Sequence, residues 1–268
     1  MKPKKKSPAK KKSSKKTLIK KSNNKKAIGK QTVASLELKV EEKNTISEFI
    51  DTVREYSIGH EVANAITHGI GGALSIAGLS VLVTMAVLFG DSWRVISCAI
   101  YGSTLVLLYI ASTLYHAIQH EKAKFIFKNL DHASIFLLIA GTYTPFTLVS
   151  LRESSKWGWI LFIVIWVLAF IGVTIKALFP KRMSHTTVAI YILMGWLCVF
   201  ALGDIYTVIG KNGMVWLVAG GLSYTLGVIF YAWDNLPFNH AIWHLFVLSG
   251  SFCHFFAIWF YVLPMKNN

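Results

Sequence analysis

Three polar clusters interrupt long apolar stretches of this chain. Ser112 and His116 are four residues apart, and so are His240 and His244, a spacing that places each pair on one face of a helix. Asp131 opens another apolar stretch. Ionisable groups are costly inside a membrane and commonly mark functional sites there. We therefore take these five residues as candidates for a site.

Three histidines would supply the ligands of a common type of zinc site. Catalytic zinc is held by three protein ligands with a fourth position open, where it activates water and polarises carbonyl groups. His116, His240 and His244 are the candidate ligands, and Asp131 and Ser112 are the candidate catalytic residues. Asp131 would orient or deprotonate water, and Ser112 would hydrogen-bond a ligand or the substrate. The spacing alone leaves a second interpretation open, in which the histidines are interfacial or packing residues.

The elements that must position these residues are transmembrane helices. Of the 268 residues, 54% are hydrophobic and only 15% are charged, and the mean hydropathy is +0.49, which argues against a soluble domain. A helix needs about 20 apolar residues to cross a bilayer. The apolar runs are 65–89, 95–118, 131–151, 157–175, 186–203, 213–233 and 241–264. We predict an all-α bundle of seven transmembrane helices, with six or eight spans as the less favoured alternatives.

The distribution of basic residues predicts the direction of the helices. Fourteen lysines and no acidic residue lie in residues 1–30, so the positive-inside rule favours a cytosolic amino terminus and an outward carboxyl terminus. The other basic residues assigned to the inside are Lys122, Lys124, Lys128, Lys176, Lys181 and Arg182. In this topology the candidate histidines and Asp131 all lie near the cytosolic ends of their helices. They could therefore converge on one ion.

The chain divides into three predicted parts. Residues 1–44 form a lysine-rich cytosolic tail with too little apolar surface to fold. Residues 45–60 form an amphipathic juxtamembrane segment, and residues 61–268 form the transmembrane domain. We expect the tail to bind anionic lipid headgroups, because it is tethered at a membrane surface, and we consider binding to nucleic acid the weaker alternative.

The sequence from residue 61 to residue 264 resembles the hemolysin III family, the bacterial branch of the progestin and adipoQ receptor (PAQR) family. The segments that carry the resemblance are Glu61-x-x-Asn64-x-x-Thr67-His68, Ser112-x-x-Tyr115-His116, Leu130-Asp131-His132, the run from Ala140 to Pro145, and His240-x-x-x-His244. The resemblance implies a seven-helix protein of the bacterial inner (plasma) membrane. It also implies a zinc ion held by His116, His240 and His244.

The same resemblance implies roles for other residues and a type of activity. Glu61, Asn64 and His68 would support the ligands rather than bind the ion. The family is related to membrane metal hydrolases that include alkaline ceramidases, so the implied activity is the hydrolysis of a lipid amide, with membrane lipids as partners.

Two other functions stay open at this point. One is a receptor or membrane-homeostasis protein in which zinc is structural. The other is a pore-forming cytolysin, which the family name suggests but the compact set of spans supports poorly. A retinal protein is excluded, because residues 241–264 contain no lysine to form the Schiff base.

Overall fold

The computed structural model describes residues 57–179 and 185–264, without the side chain of His185. The described residues form seven α-helices, with a π-helix after the third and a 3₁₀ helix, Trp196–Ala201, after the fifth. These are α1 (Ile58–Phe89), α2 (Ser92–Ala117), α3 (Glu121–Pro145), α4 (Trp157–Leu178), α5 (His185–Gly195), α6 (Leu202–Tyr231) and α7 (Asn239–Tyr261). The predicted tail, 1–44, and most of the juxtamembrane segment, 45–60, lie outside the described residues.

Six helical stretches are long and apolar enough to cross a membrane. They are Ile58–Phe89, Ser92–Ala117, Glu121–Leu151, Trp157–Leu178, Thr186–Tyr231 and Asn239–Tyr261. Large apolar side chains cover the outside of these helices, and Leu74, Phe170 and Leu193 are each at least 60% exposed. Soluble proteins rarely expose apolar patches of this extent. The molecule is therefore a multi-pass integral membrane protein.

The fifth of these stretches, Thr186–Tyr231, is 46 residues long and folds back on itself. The Trp196 indole Nε1 donates a hydrogen bond of 3.0 Å to Thr225 Oγ1, although an unbroken helix would separate these residues by roughly 43 Å. The reversal occurs near Gly210, which has φ 69° and ψ −178°. Glycine adopts this positive φ without the steric cost of a Cβ atom.

Helices α1 and α3 begin earlier than the apolar runs predict. Helix α3 starts at Glu121 instead of residue 131, and α1 starts at Ile58 instead of residue 65. A predicted apolar run ends where charged residues begin, but the backbone stays helical through those charged residues. The Nδ1 of His120 accepts a hydrogen bond from the Ala123 amide at 3.4 Å and so caps the start of α3.

The third helix changes its geometry at a proline. Pro145 ends the α-helical part of α3, and Phe146–Leu151 continues it as a π-helix. Proline has no backbone N–H to donate, so the regular hydrogen-bond ladder is interrupted there.

Helix packing brings the first and the last helix of the bundle into contact. Helix α2 packs between α1 and α3, and α7 packs against both α6 and α1. As a result, the end of α2 and the starts of α1, α3 and α7 surround one region of the interior.

Candidate metal centre

Three histidines from two helices meet in the interior. His116 lies in the last turn of α2, and His240 and His244 lie on successive turns at the start of α7. Their ring centroids are 4.5 to 5.3 Å apart. One ligand nitrogen from each lies within 4.8 Å of the others, and all three side chains are buried. A single metal ion could be bound by this group.

A hydrogen bond to Glu61 orients the His116 ring. Glu61 Oε2 lies 2.6 Å from His116 Nδ1. A carboxylate accepts here, so Nδ1 carries the proton and Nε2 remains the basic nitrogen. Asn64 Nδ2 also lies 3.4 Å from this Nδ1, but both groups are donors in that arrangement. Glu61 therefore sets the tautomer.

His244 is oriented in the same way by helix α1. Its Nδ1 lies 3.0 Å from Thr67 Oγ1 and 3.3 Å from the Asn64 carbonyl oxygen. The Thr67 hydroxyl donates its own proton to the carbonyls of Ala63 and Asn64, so its oxygen is left to accept from His244. Nδ1 is again the protonated nitrogen, and Nε2 is left to bind a metal.

Lys124 is a buried cation next to this group. Its Nζ lies 2.8 Å from Glu61 Oε1 and donates to the Tyr115 carbonyl oxygen at 2.9 Å. The ammonium also lies 4.9 Å from the centre of the Tyr115 ring. Sequence analysis counted Lys124 only as a basic residue of the cytosolic side, so its inward position and its contact with Glu61 were missed. Thr67 was also missed as a partner of His244, although it belongs to the quoted motif.

Asp131 and Ser112 lie beside the three histidines but outside the group that could share one ion. Both are buried. The Asp131 carboxylate interacts electrostatically with His116 and lies near the Ser112 hydroxyl. That hydroxyl makes no hydrogen bond of normal geometry with any described residue. Asp131 also lines the cavity that adjoins His240 and His244, whereas Ser112 lies outside its lining.

His68 stacks flat on His244. The ring centroids are 3.4 Å apart and the rings are inclined by 12°. Neither His68 nitrogen has a hydrogen-bond partner within the described part of the chain, and His68 is not in the group of three. Its contact with the site is therefore through the face of the His244 ring.

A cavity of about 200 Å³ adjoins His240 and His244. Its polar end is lined by His68, Asp131, His240 and His244. Apolar side chains of α3, α5, α6 and α7 line most of the remainder, and Leu151 lies towards the far end. Asp131 and Leu151 are twenty residues apart along one helical stretch, which corresponds to about 30 Å. The shape and lining suit a long apolar chain with a polar head.

A group of hydroxyls lies deeper along α7. Tyr109 donates to Ser251 Oγ at 2.7 Å, and the Tyr224 hydroxyl lies 2.8 Å from the same oxygen. His254 Nε2 donates to the Leu217 carbonyl at 3.1 Å. Polar groups are satisfied internally inside a membrane protein, and these bonds join α2, α6 and α7.

The donor set fits a zinc ion. Imidazole nitrogen is a preferred zinc ligand, and ligating histidines characteristically donate their other ring N–H to a carboxylate, a carbonyl or another fixed acceptor. His116 and His244 both have such an acceptor in this structure. The arrangement therefore matches a metal centre in both its ligands and their supports.

Comparisons with known proteins point to one family. The sequence profile of the family described as "Haemolysin-III related" matches residues 56–255. The chain is 48% identical to Hemolysin-3 of Bacillus cereus over 210 residues, which is 78% of this chain and 95% of that protein. It is 44% identical to the Hemolysin-3 homolog of Bacillus subtilis (strain 168) over 78% of this chain and 98% of that protein. It is also 32% identical to the human Monocyte to macrophage differentiation factor, over 75% of this chain and 83% of that protein.

Proposed function

Because the chain belongs to the haemolysin-III-related family, we propose that it is a membrane enzyme whose three buried histidines hold zinc for the hydrolysis of a lipid amide. The observation that carries the proposal is the group of His116, His240 and His244, of which His240 and His244 line the polar end of a long, mostly apolar cavity. A lipid headgroup in that position would meet the histidines, while its chain would occupy the cavity.

The residues around the histidines supply what amide hydrolysis needs. Bound zinc would supply Lewis acidity, which makes water more acidic and polarises a carbonyl. Asp131 would accept a proton from the attacking water and deliver it to the amide nitrogen as that nitrogen leaves. The Ser112 hydroxyl would donate to the substrate carbonyl oxygen. One water molecule is consumed, and a carboxylic acid and an amine are released.

Seven spans and a cytosolic amino terminus form part of the proposal. The fold-back near Gly210 supports two crossings by the stretch Thr186–Tyr231, because 46 residues in one unbroken helix would be about 69 Å long. A bilayer core is only about 30 Å thick. With the basic amino terminus inside, the histidine group lies towards the cytosolic side.

Metal analysis of the purified full-length protein tests the zinc assignment. We expect about one zinc per chain, and we expect the His244→Ala variant to lose it. The matched control is His120→Asn, since His120 is exposed and lies outside the group, and asparagine can still cap the start of α3. Wild-type protein purified without a chelator that lacks stoichiometric metal would contradict the proposal, and so would a His244→Ala variant that keeps it.

Hydrolysis is tested separately with defined lipids. Protein reconstituted in nanodiscs is incubated with a ceramide, and the released fatty acid is quantified by mass spectrometry. A second incubation with a phospholipid ester of the same chain length serves as the comparison. Zinc-loaded protein that releases no acid from either lipid would argue against an enzyme.

One other candidate function is that of a receptor or membrane-homeostasis protein in which the metal centre is structural, and the name of the human relative, a differentiation factor, fits a signalling role. In that case zinc would be present, and removing it would lower the thermal stability of the protein without any associated turnover.

The names of the bacterial relatives suggest a cytolysin. Release of an encapsulated dye from liposomes by the purified protein would favour that function.

A further inference from the structure

We propose that Lys124 is a positioning residue of the metal centre: its buried ammonium holds Glu61, and through Glu61 the His116 ring, in the orientation that binds the ion. This inference rests on the proposed metal site. It adds a residue that no histidine or aspartate motif of the sequence contains.

The burial of Lys124 is unusual for a lysine near the end of a membrane helix. A lysine near the end of a membrane helix normally extends its ammonium to the water interface. The neighbouring Lys122 is exposed, whereas Lys124 is only 3% exposed. Burying an ammonium is expensive unless a counter-ion and hydrogen bonds compensate. Lys124 obtains both by facing the site, from Glu61 and from the Tyr115 carbonyl.

The contacts of Lys124 join three helices at the site. Lys124 belongs to the first turn of α3, Tyr115 to the last turn of α2, and Glu61 to the first turn of α1. The carbonyls of a helix end lack partners within the helix and attract cations. By binding the Tyr115 carbonyl, Lys124 is fixed one residue away from His116.

Glu61 transmits this constraint to the ligand. One carboxylate oxygen accepts from Lys124 at 2.8 Å and the other accepts from His116 at 2.6 Å. With both oxygens engaged, the carboxylate plane is fixed, and so is the direction of the His116 ring. Without the ammonium, Glu61 would keep one partner and could rotate. The His116 nitrogen that faces His240 and His244 would then be held less firmly.

A purely structural ion pair makes a different prediction from a positioning residue. A structural pair would stabilise the folded protein equally with and without metal, so its loss would leave the metal affinity of the folded molecules unchanged. A positioning residue would change the affinity and the coordination geometry. Zinc affinity by chelator competition and the visible absorption of the cobalt-substituted protein measure these quantities directly.

The experiment uses the full-length protein in nanodiscs, stripped of metal and titrated with Zn²⁺ and Co²⁺. We expect Lys124→Met to weaken zinc binding by about 10-fold or more, in the range seen for residues that support metal ligands, and to alter the cobalt spectrum. Lys124→Arg keeps the charge and should stay within a few-fold of wild type. Lys122→Met removes the exposed neighbouring charge and should match wild type.

A variant that removes both charges covers the case in which Lys124→Met fails to fold. Glu61→Gln/Lys124→Met leaves no unpaired buried charge, and we expect it to fold but to bind zinc as weakly as Glu61→Gln alone. Wild-type affinity in the double variant or in folded Lys124→Met would overturn the inference, and so would an equal loss in Lys122→Met. If wild type binds no metal, the proposed function fails and this inference fails with it. If wild type binds metal and the Lys124 variants bind it with the same affinity, this inference fails and the proposed function stands.

Discussion

At the scale of single residues, the candidate site places several ionisable groups in the buried interior of the molecule. Glu61, Lys124 and Asp131 are all less than 10% exposed, although each buried charge is costly in a membrane protein. Glu61 and Lys124 compensate each other directly. Asp131 interacts with His116 and with the buried Lys176. The carboxylates thus have separate surroundings, since Glu61 contacts His116 while Asp131 borders the cavity.

Replacing Asp131 by asparagine separates catalysis from metal binding. Asp131 lies outside the group of three ligands, so we expect Asp131→Asn to keep about one zinc per chain. Loss of the proton acceptor should lower the rate of lipid amide hydrolysis by at least about 100-fold. The measurement pairs metal content with fatty acid release from the same preparation. Loss of zinc would instead make Asp131 a ligand, and an unchanged rate would remove it from the mechanism.

His68 provides a second test at this scale, because it contacts the site without belonging to the ligand group. We expect His68→Ala to keep stoichiometric zinc, whereas His116→Ala should lose it. Loss of the stacked ring leaves space beside His244, so the thermal unfolding temperature should fall. Equal loss of zinc in both variants would show that His68 binds the ion.

Sequence reasoning could place the histidines but not all of their partners. The i, i+4 spacing of His240 and His244 and the topology were enough to suggest one common site. The role of Lys124 was hidden because Lys122, Lys124 and Lys128 look alike in a basic stretch. A helix starting at Glu121 would have shown that Lys124 and Asp131, seven residues apart, share a face. The hydropathy run starting at residue 131 concealed this.

At the scale of helices, contacts between neighbours depend on small residues at particular points. A Cβ atom on Gly71 would lie 2.6 Å from Tyr109 Cδ1 and 2.9 Å from Leu248 Cδ2. At Gly69, two residues earlier on the same helix, it would lie 3.7 Å from Thr113, an ordinary contact. The close approach of α1 to α2 and α7 therefore requires glycine at position 71 but not at position 69.

These two glycines form a matched pair of substitutions. We expect Gly71→Ala to destabilise the protein by about 1 to 3 kcal/mol, as overpacking of an interior does. Gly69→Ala should have little effect. Thermal unfolding in detergent, followed by tryptophan fluorescence, compares the variants. Similar unfolding temperatures for both would show that the α1–α2 contact relaxes easily.

The ends of the helices were harder to predict from the sequence than the presence of the helices. Each apolar run falls largely within a described helical stretch, because burial in lipid demands apolar side chains over the whole crossing. The exact starts of α1 and α3 depend on charged residues that face the interior, such as Glu61 and Lys124, and no hydropathy pattern can distinguish these from charges in solvent. Both residues lie at the candidate site, so the hydropathy pattern misplaced the helix starts there.

At the scale of the whole molecule, the site forms only because distant parts of the chain meet. The contact of α7 with α1 brings His244 to Thr67, which precedes it by 177 residues. On the proposal that Thr186–Tyr231 crosses the bilayer twice, α7 enters from the cytosolic side, because each crossing before α7 reverses the side from which it enters. The number of spans and the location of the histidines are therefore linked.

The position of the carboxyl terminus tests this link directly. With the amino terminus in the cytosol, seven crossings place the carboxyl terminus outside, whereas six place it in the cytosol. We expect green fluorescent protein fused to the carboxyl terminus of the full chain to be dark, because it does not mature after export, and alkaline phosphatase fused there to be active. Green fluorescent protein fused to the amino terminus should be bright and serves as the control. A bright carboxyl-terminal fusion beside a bright amino-terminal one would require an even number of crossings. Thr186–Tyr231 would then cross the bilayer once, with its ends on opposite sides, and not twice as its fold-back suggests.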